Sequence, residues 1–155
     1  MTRLSWDDYF LEITDTVGKR GTCDRGKAGA IIVVYKRIVA TGYVGAPSGL
    51  PHCDEAGHLM RDVIDENGNK SSHCIRTLHA EENAMLQAAK HGVKLEGGTV
   101  YCKMTPCFNC AKKIVQVGIK RVVARRRYHA DVLSIQLFQE AGVQLKIIED
   151  VFEDY

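Results

Sequence analysis

The stretch that organises the chain covers residues 78–111 and contains two motifs, His79-Ala80-Glu81 and Pro106-Cys107-Phe108-Asn109-Cys110. Their side chains offer one imidazole and two thiols, which are ligands that zinc prefers. Three protein ligands are the number found in catalytic zinc sites, where a water takes the fourth position. The carboxylate of Glu81 is the group that could move protons between such a water and a substrate.

A Cys-x-x-Cys pair by itself is also typical of a structural zinc site or a redox pair, and a His-x-Glu pair alone is weak evidence. Their order in this chain, with Pro106 directly before the first cysteine, is much less expected by chance. The combination resembles the signature of zinc nucleobase deaminases, His-x-Glu followed by Pro-Cys-x-x-Cys. We therefore predict a catalytic zinc on His79, Cys107 and Cys110, with Glu81 as proton carrier. A non-catalytic zinc scaffold is the alternative.

The composition is that of an ordinary globular chain of 155 residues, with 45% hydrophobic residues, 26% charged residues and a net charge of +2. This length predicts one domain over residues 1–155, with a core that needs no disulfides. No apolar run is long enough to span a bilayer, and the N-terminus has no signal-peptide core. We expect a cytoplasmic protein whose six cysteines favour metal binding, with no membrane or long nucleic-acid partner.

The hydrophobic periodicity predicts an α/β fold. Strands are expected over residues 28–35, 37–43, 99–103, 121–125 and 144–148, and helices over 6–18, 80–91, 108–117 and 130–141. The first two strands form a hairpin with a tight turn near Lys36, and the later strands alternate with helices, which implies right-handed crossovers. We predict a three-layer α/β/α sandwich around a five-stranded mixed sheet. Core positions on the last three helices include Ala84, Leu86, Ala88, Ala89, Ile114, Val115, Val117, Leu133, Leu137 and Phe138.

Both zinc motifs fall at or beside predicted helix N-termini. Unpaired backbone N–H groups and the helix dipole favour thiolate and other negative charge there. The step from Cys107 to Cys110 is almost one helical turn, so both sulfurs face the same side. Two helices are therefore expected to share one metal.

Residues 44–77 have no clear periodicity and are rich in Gly, Pro, Asn, Cys and His. No element is predicted there except a short turn around residues 59–61. A loop of this length inside a compact domain is either functional or disordered.

Four segments, two of which contain the zinc motifs, form a longer pattern. They are Thr-Gly-Tyr-Val-Gly-Ala-Pro-Ser-Gly at 41–49, His-Cys-Asp-Glu at 52–55, His-Ala-Glu-Glu-Asn-Ala at 79–84 and Pro-Cys-Phe-Asn-Cys-Ala at 106–111. Together they resemble the deoxycytidylate (dCMP) deaminase family, and the likeness covers about residues 23–143. The Gly-Tyr-x-Gly-x-Pro stretch and the cysteine-rich loop separate this family from plain cytidine deaminases.

The resemblance implies a cytidine-deaminase-like fold, hydrolysis of dCMP to dUMP, a homo-hexamer, activation by dCTP and inhibition by dTTP. Magnesium accompanying a bound dNTP effector is a further option. The family's effector or subunit contacts map onto Gly45, Pro47, Asn83, Gln87 and Lys90. A deaminase of free cytidine or deoxycytidine, or of a base in single-stranded nucleic acid or tRNA, would use the same zinc chemistry and is the alternative function.

The family resemblance also includes members with a second zinc near the cysteine-rich loop. The candidate ligands here are Cys23, Cys53, His58 and Cys74, with His52 or His73 as further candidates. Four ligands without a water would make a closed structural site that staples the loop. The alternative is a set of buried thiols with surface histidines. Cys102, on a predicted strand, is most simply a core thiol.

One position departs from the family pattern, which usually has Asn where this chain has Val44. That amide is expected to hydrogen-bond the substrate sugar, and a valine side chain cannot do so. For the phosphate and the pyrimidine, the sequence offers Arg125 and Tyr128 at the end of a predicted strand. Arg25 and Lys27, before the first strand, are a second candidate pair.

Overall fold

The computed structural model describes residues 1–64 and 67–154. Residues 65 and 66, inside the predicted loop 44–77, and residue 155, at the end of the predicted domain, lie outside the described residues. In chain order the elements are α1 (Trp6–Gly18), β1 (Gly29–Val34), β2 (Arg37–Tyr43), α2 (Cys53–Ala56), β3 (Met60–Ile64), β4 (Lys70–Cys74), α3 (Ala80–His91), β5 (Thr99–Met104), α4 (Phe108–Gln116), β6 (Arg121–Arg126), α5 (Val132–Ala141) and β7 (Gln144–Ile147).

The central sheet has five strands in the order β2-β1-β5-β6-β7. Strand β1 pairs antiparallel with both β2 and β5, whereas β5, β6 and β7 run parallel. The β1–β2 turn has positive φ at both Tyr35 and Lys36, the conformation that suits the twist of a two-residue hairpin. This confirms the predicted mixed sheet and its hairpin.

Helix α1 covers one face of the sheet. Its Phe10 and Leu11 are buried against a cluster that includes Tyr101 and Val123. At the start of the same helix, Asp7 accepts two hydrogen bonds from Arg121, at 2.7 and 2.8 Å, and one each from Tyr101 and Lys146. The helix is therefore held by apolar packing and by one carboxylate that joins three strands.

The other face of the sheet carries α3, α4 and α5. Ala84, Ile114 and Phe138, one from each helix, lie in a single buried cluster with strand residues such as Ile32 and Val122. Helices on both faces confirm the predicted three-layer arrangement. Among the described helices, none combines the length and the apolar content needed to cross a lipid bilayer.

Two details of the prediction were wrong. The expected featureless loop contains helix α2 and an antiparallel hairpin, β3–β4, which forms a separate two-stranded sheet. In addition, Leu86, Ala89 and Leu133 were expected to face the core, but Leu86 and Leu133 are 52% and 37% exposed and Ala89 is exposed as well. Small alanines on α3 bring the helix close to the sheet, which leaves Leu86 on its outer side.

Candidate active site and metal centres

The first metal-ligating set lies where two helices begin. His79 is the N-cap of α3, Cys107 is the N-cap of α4, and Cys110 lies in the first turn of α4. The Nδ1 atom of His79 is 3.4 Å from Sγ of Cys107 and 3.5 Å from Sγ of Cys110. Ligands at the corners of a tetrahedral zinc site are about 3.6 Å apart for a sulfur and a nitrogen. The donor set and its spacing therefore fit zinc.

Local contacts fix the two helix starts. The backbone N–H of His79 donates to the carboxylate of Glu82, which closes the first turn of α3. Lys113 of α4 forms an ion pair with the same Glu82 and links the two helices. A side chain at Gly42 of β2 would collide with the backbone of Ala80 and of the α3 turn that follows. Glycine at this position lets the strand press against the helix end that carries the metal ligand.

The charges in this set favour metal binding. The hydrogen bond from the Cys110 thiol, and a second one from His79, lower the pKa of Cys107 to about 4. The same Cys107 contact raises the pKa of His79 to about 9 and that of Cys110 above its usual value. Two thiols and an imidazole thus share protons around one thiolate, and a bound divalent cation would take the place of those protons.

Glu81 lies in the first turn of α3 and lines the same cavity as His79 and Cys107. Burial is the main reason that the pKa of this carboxyl is raised to about 7, although the nearby His79 opposes the shift. A carboxyl that titrates near neutrality can both accept and donate a proton under working conditions.

The cavity has a volume of about 380 Å³. Val44, Thr105 and Tyr128 contribute to its lining, together with residues 71–74 of the hairpin strand β4. It is large enough for a nucleoside or a nucleotide, which fall within the range of small-molecule sites.

A buried hydrogen-bonded network supports the wall that carries Tyr128. The hydroxyl of Thr105 donates to Asp131 at 2.8 Å and accepts a bond from the backbone N–H of Tyr128 at 2.7 Å. Asp131 is 1% exposed and also receives two bonds from Arg127. The network holds Tyr128 beside the strand end that leads to Cys107. Sequence reasoning missed it, because a Thr and an Asp 26 residues apart carry no motif.

Of the residues predicted to bind the substrate, some line the cavity and others do not. Val44 and Tyr128 line the cavity. Lys27 is not among the lining residues, although its neighbours Gly26 and Ala28 are. Arg125 points to the opposite face of the sheet, where its guanidinium bonds to Asp15 of α1 at 2.6 Å. Alternation along β6 explains this orientation, because the buried Val123 already faces α1.

The second set contains four donor residues, Cys23, Cys53, His58 and Cys74, whose ligand atoms all lie within 4.8 Å of one another. Sγ of Cys53 is 3.5 Å from Sγ of Cys74, and Sγ of Cys23 is 3.6 Å from Nδ1 of His58. These values are near the about 3.6–3.8 Å expected between tetrahedral zinc ligands. The two further candidates form hydrogen bonds elsewhere, His52 with Thr22 and His73 with Ser71.

The thiols of this second set have unequal acidities. Burial opposes ionisation of Cys74, but hydrogen bonds from the backbone N–H groups of Arg76 and Leu59 outweigh it and lower its pKa to about 6. Burial and the neighbouring Cys74 raise the pKa of Cys53 to about 12. One thiolate is thus favoured in this set as well, beside thiols that a metal would deprotonate.

A second cavity of about 470 Å³ lies between β2 and α3. Gly45, Asn83 and Gln87, three of the predicted effector or subunit positions, are part of its lining, whereas Pro47 and Lys90 are not. The Asn83 amide also donates to the carbonyl oxygens of Tyr43 and Gly45, so it ties the end of β2 to α3.

Comparison with known proteins places this geometry in a family. Residues 4–126 match the family model described as the cytidine and deoxycytidylate deaminase zinc-binding region. The chain belongs to that family. The match covers most of the chain and both motifs of the three-donor set, and it confirms the predicted family.

Individual relatives agree with this assignment. The chain is 40% identical over 149 residues to ComE operon protein 2 of Bacillus subtilis, covering 96% of this chain and 74% of that protein. It is 40% identical over 144 residues to the deoxycytidylate deaminase of Schizosaccharomyces pombe, covering 93% of this chain but only 44% of that protein. Among solved structures, the dCMP deaminase of cyanophage S-TIM5 in complex with dCMP and dUMP superimposes with a TM-score of 0.75 and 30% identity, covering 95% of this chain and 99% of that one.

Proposed function

We propose that this deaminase converts dCMP to dUMP by hydrolysis. The observation that carries the proposal is the position of Glu81, which lines one cavity together with two members of a three-donor zinc set. Three donors leave one position of a tetrahedral zinc for water, as in catalytic sites. The S. pombe and cyanophage S-TIM5 relatives, which are named for dCMP, support this choice of substrate.

The proposed mechanism assigns a task to each side chain. His79, Cys107 and Cys110 would hold the zinc, which supplies an activated water at neutral pH. The oxygen of this water would add to C4 of the pyrimidine. Glu81, with its pKa raised to about 7, would take the two protons of the water in turn and pass one to N3 and the other to the amino group, which leaves as ammonia. Tyr128 lines the same cavity and can cover one face of the base. Burial of Glu81 thus tunes the group that must be protonated and deprotonated in each turnover.

We also propose that Cys23, Cys53, His58 and Cys74 hold a second, structural zinc. Support comes from their complete donor count and from the 3.5 and 3.6 Å separations within the set. A closed four-ligand site needs no water and performs no chemistry of its own. Its expected role is to tie the segment before β1 to α2 and to β4.

Control by dCTP and dTTP, and assembly as a homo-hexamer, are carried over from the family as further proposals. The cavity beside Gly45, Asn83 and Gln87 is the candidate effector site. The described residues that line it include no Lys or Arg. A triphosphate there would therefore need magnesium or cationic groups from a second copy of the chain to balance its charge. The single domain and the cytoplasmic location stay predictions.

A substrate panel tests the proposed function. Loss of cytosine absorbance is followed for cytidine, dCMP, dCTP and a cytosine-containing single-stranded oligonucleotide, each with and without dTTP. We expect turnover of dCMP well above that of the other three, and inhibition by dTTP. Faster turnover of cytidine or of the oligonucleotide would contradict the dCMP assignment, and the absence of turnover on all four would favour a zinc scaffold.

A further inference from the structure

A lysine of α4 and a glutamate of α3 form an ion pair beside the three-donor set. Lys113 donates to Oε1 of Glu82, whereas Oε2 of the same carboxylate accepts the backbone N–H of His79 at 3.3 Å. The Glu82 side chain is only 17% exposed, so this is not an ordinary surface contact. One carboxylate thus joins the segment that carries the histidine donor to the helix whose N-terminal end carries both cysteine donors.

The buried side chains next to the donors on these two helices are small. Ala80 directly follows His79, Ala111 directly follows Cys110, and both alanines lie in the same buried cluster. A methyl group makes few dispersion contacts, so it fixes the position of a neighbouring helix less firmly than a large side chain does. A polar link between the two helix ends therefore adds a constraint that the alanines supply only weakly.

The donor atoms need such a constraint, because zinc accepts only a narrow range of ligand distances. The two sulfurs lie 3.4 and 3.5 Å from Nδ1 of His79, but their residues lie 28 and 31 positions further along the chain. The distance between the histidine and the cysteines is therefore set by the packing of α4 on α3 and by no local geometry. A shift of one helix against the other would change both distances together.

We propose that Lys113 and Glu82 form a positioning pair that keeps the three donors at zinc-binding distance and slows the release of zinc from them. Partners that orient metal ligands without binding the metal typically change metal affinity by about 10- to 100-fold. Neither side chain is among the three donors, and neither lines the catalytic cavity. The inference rests on the proposed zinc set of the deaminase and not on the choice of dCMP as substrate.

The test compares zinc release from Lys113→Met with zinc release from Lys112→Met. Lys112 is the preceding residue of α4, is exposed, and has its ammonium over the Phe108 ring at 5.2 Å. Both substitutions therefore remove one positive charge from the same turn of the helix.

Transfer of zinc to an excess of a coloured chelator is followed with time, without substrate. The kinetic phase that Cys107→Ala removes belongs to the three-donor set. We expect Lys113→Met to speed this phase by about 10- to 100-fold, and Lys112→Met to change it by less than about twofold.

Variants of Glu82 separate the ion pair from the hydrogen bond to His79. Glu82→Gln can still accept the backbone N–H but carries no charge, so its zinc release should come close to that of Lys113→Met. Glu82→Ala loses both contacts and should release zinc faster still. The double variant Lys113→Met, Glu82→Gln should be no faster than either single variant, because both substitutions remove the same bond. Lys113→Arg keeps the charge and should restore most of the parent's zinc retention.

Three results would overturn the inference. Zinc release from Lys113→Met that matches Lys112→Met would make the pair a contact without a role in zinc retention. Equal acceleration of release from the four-donor set, the internal control, would indicate a general loosening of the fold. A release curve that Cys107→Ala leaves unchanged would remove the three-donor zinc set and the inference with it.

The assay also separates this inference from the proposed function, since it involves no turnover. If zinc release responds as expected but the parent does not deaminate dCMP, the proposed reaction fails and the positioning pair stands. A melting temperature for each variant identifies any failure to fold, and Glu82→Gln then takes the place of Lys113→Met.

Discussion

The two cysteine and histidine clusters differ in donor number and in what surrounds them. The cluster of His79, Cys107 and Cys110 has three donors, lies at two helix N-termini and borders the cavity that contains Glu81. The other cluster has four donors, drawn from the loop before β1, helix α2, the residues after it and strand β4. Both clusters border this cavity, since Cys23 and Cys74 also line it. The difference in donor number therefore separates them: three donors leave a position for a reacting water, whereas four donors complete a structural site.

The largest expected effect comes from breaking the three-donor cluster. Cys107→Ala should lower the zinc content by about one per chain and reduce dCMP turnover below detection, because the reacting water loses its metal. Elemental analysis and the absorbance assay measure both quantities. Unchanged zinc and unchanged turnover would remove this cluster from the active site.

Glu81→Gln sharpens the distinction between holding a metal and performing chemistry. The amide cannot carry the proton, so we expect kcat to fall by about 10²- to 10⁴-fold. Zinc content should stay at the parent value, since Glu81 is not among the three donors. Normal turnover by Glu81→Gln would indicate that the three-donor cluster has only a structural role.

The four-donor cluster should respond in stability more than in catalysis. Cys53→Ser should lower the zinc content by about one per chain and expose residues 44–77 to proteolysis, because metal binding and folding of this region are coupled. Cys102→Ala is the matched control, a buried cysteine that belongs to neither cluster. If Cys53→Ser keeps full stoichiometry and protease resistance, these cysteines are ordinary buried thiols.

A smaller change is expected at the cavity wall between the two clusters. Val44 is partly buried and lines the cavity with an apolar side chain. Val44→Asn should raise kcat/KM for dCMP by about 5- to 150-fold, if the amide restores a sugar hydrogen bond worth about 1–3 kcal/mol. Zinc content and melting temperature should change little. A variant no better than the parent would mean that other residues recognise the sugar.

The smallest effect on turnover is expected for Asp7→Asn, because Asp7 lies in the first turn of α1 and belongs to neither cluster. Hydrogen bonds from Arg121 hold the pKa of Asp7 well below its usual value, although burial opposes the shift. The ionised carboxylate therefore adds stability above about pH 4, and this stability is lost as the pH falls further. We expect Asp7→Asn to lower the free energy of unfolding by about 1–3 kcal/mol at pH 7, with the difference shrinking toward pH 2. Denaturant titrations of the parent and the variant at pH 7 and pH 2 measure the free energy of unfolding, and zinc analysis serves as the control. A stability difference between the two proteins that does not change with pH would contradict this prediction.

The sequence predicted the central sheet and its helices well, because their apolar runs have clear periods and their ends carry glycines such as Gly92 and Gly142. The β3–β4 hairpin could not be found in this way. Every residue of β3 is exposed, so the strand has no buried face to mark it. Its partner strand ends at Cys74 in the four-donor cluster, which joins segments distant in the sequence and leaves no local pattern.

The residues of the zinc motifs were easier to predict from the sequence than a residue that contacts the phosphate. His79, Glu81, Cys107 and Cys110 form two short motifs, His-x-Glu and Cys-x-x-Cys, and were predicted together. Arg125 was assigned to the phosphate from its place at a strand end, but the strand's alternation turned it toward Asp15. Which face a single side chain takes depends on register with neighbouring strands, and one sequence does not reveal that register.

The carboxylate of Asp7 also bears on the order in which the chain folds as it is made. Its partners Arg121 and Lys146 lie 114 and 139 residues further along. At ribosomal rates of about 5–20 residues per second, helix α1 waits on the order of 10 s for them to emerge. During that interval the apolar side of α1, with Phe10 and Leu11, has no finished sheet to cover it. We expect α1 to be the segment of the nascent chain that chaperones bind most, and we expect its docking on the sheet to be a late step of folding.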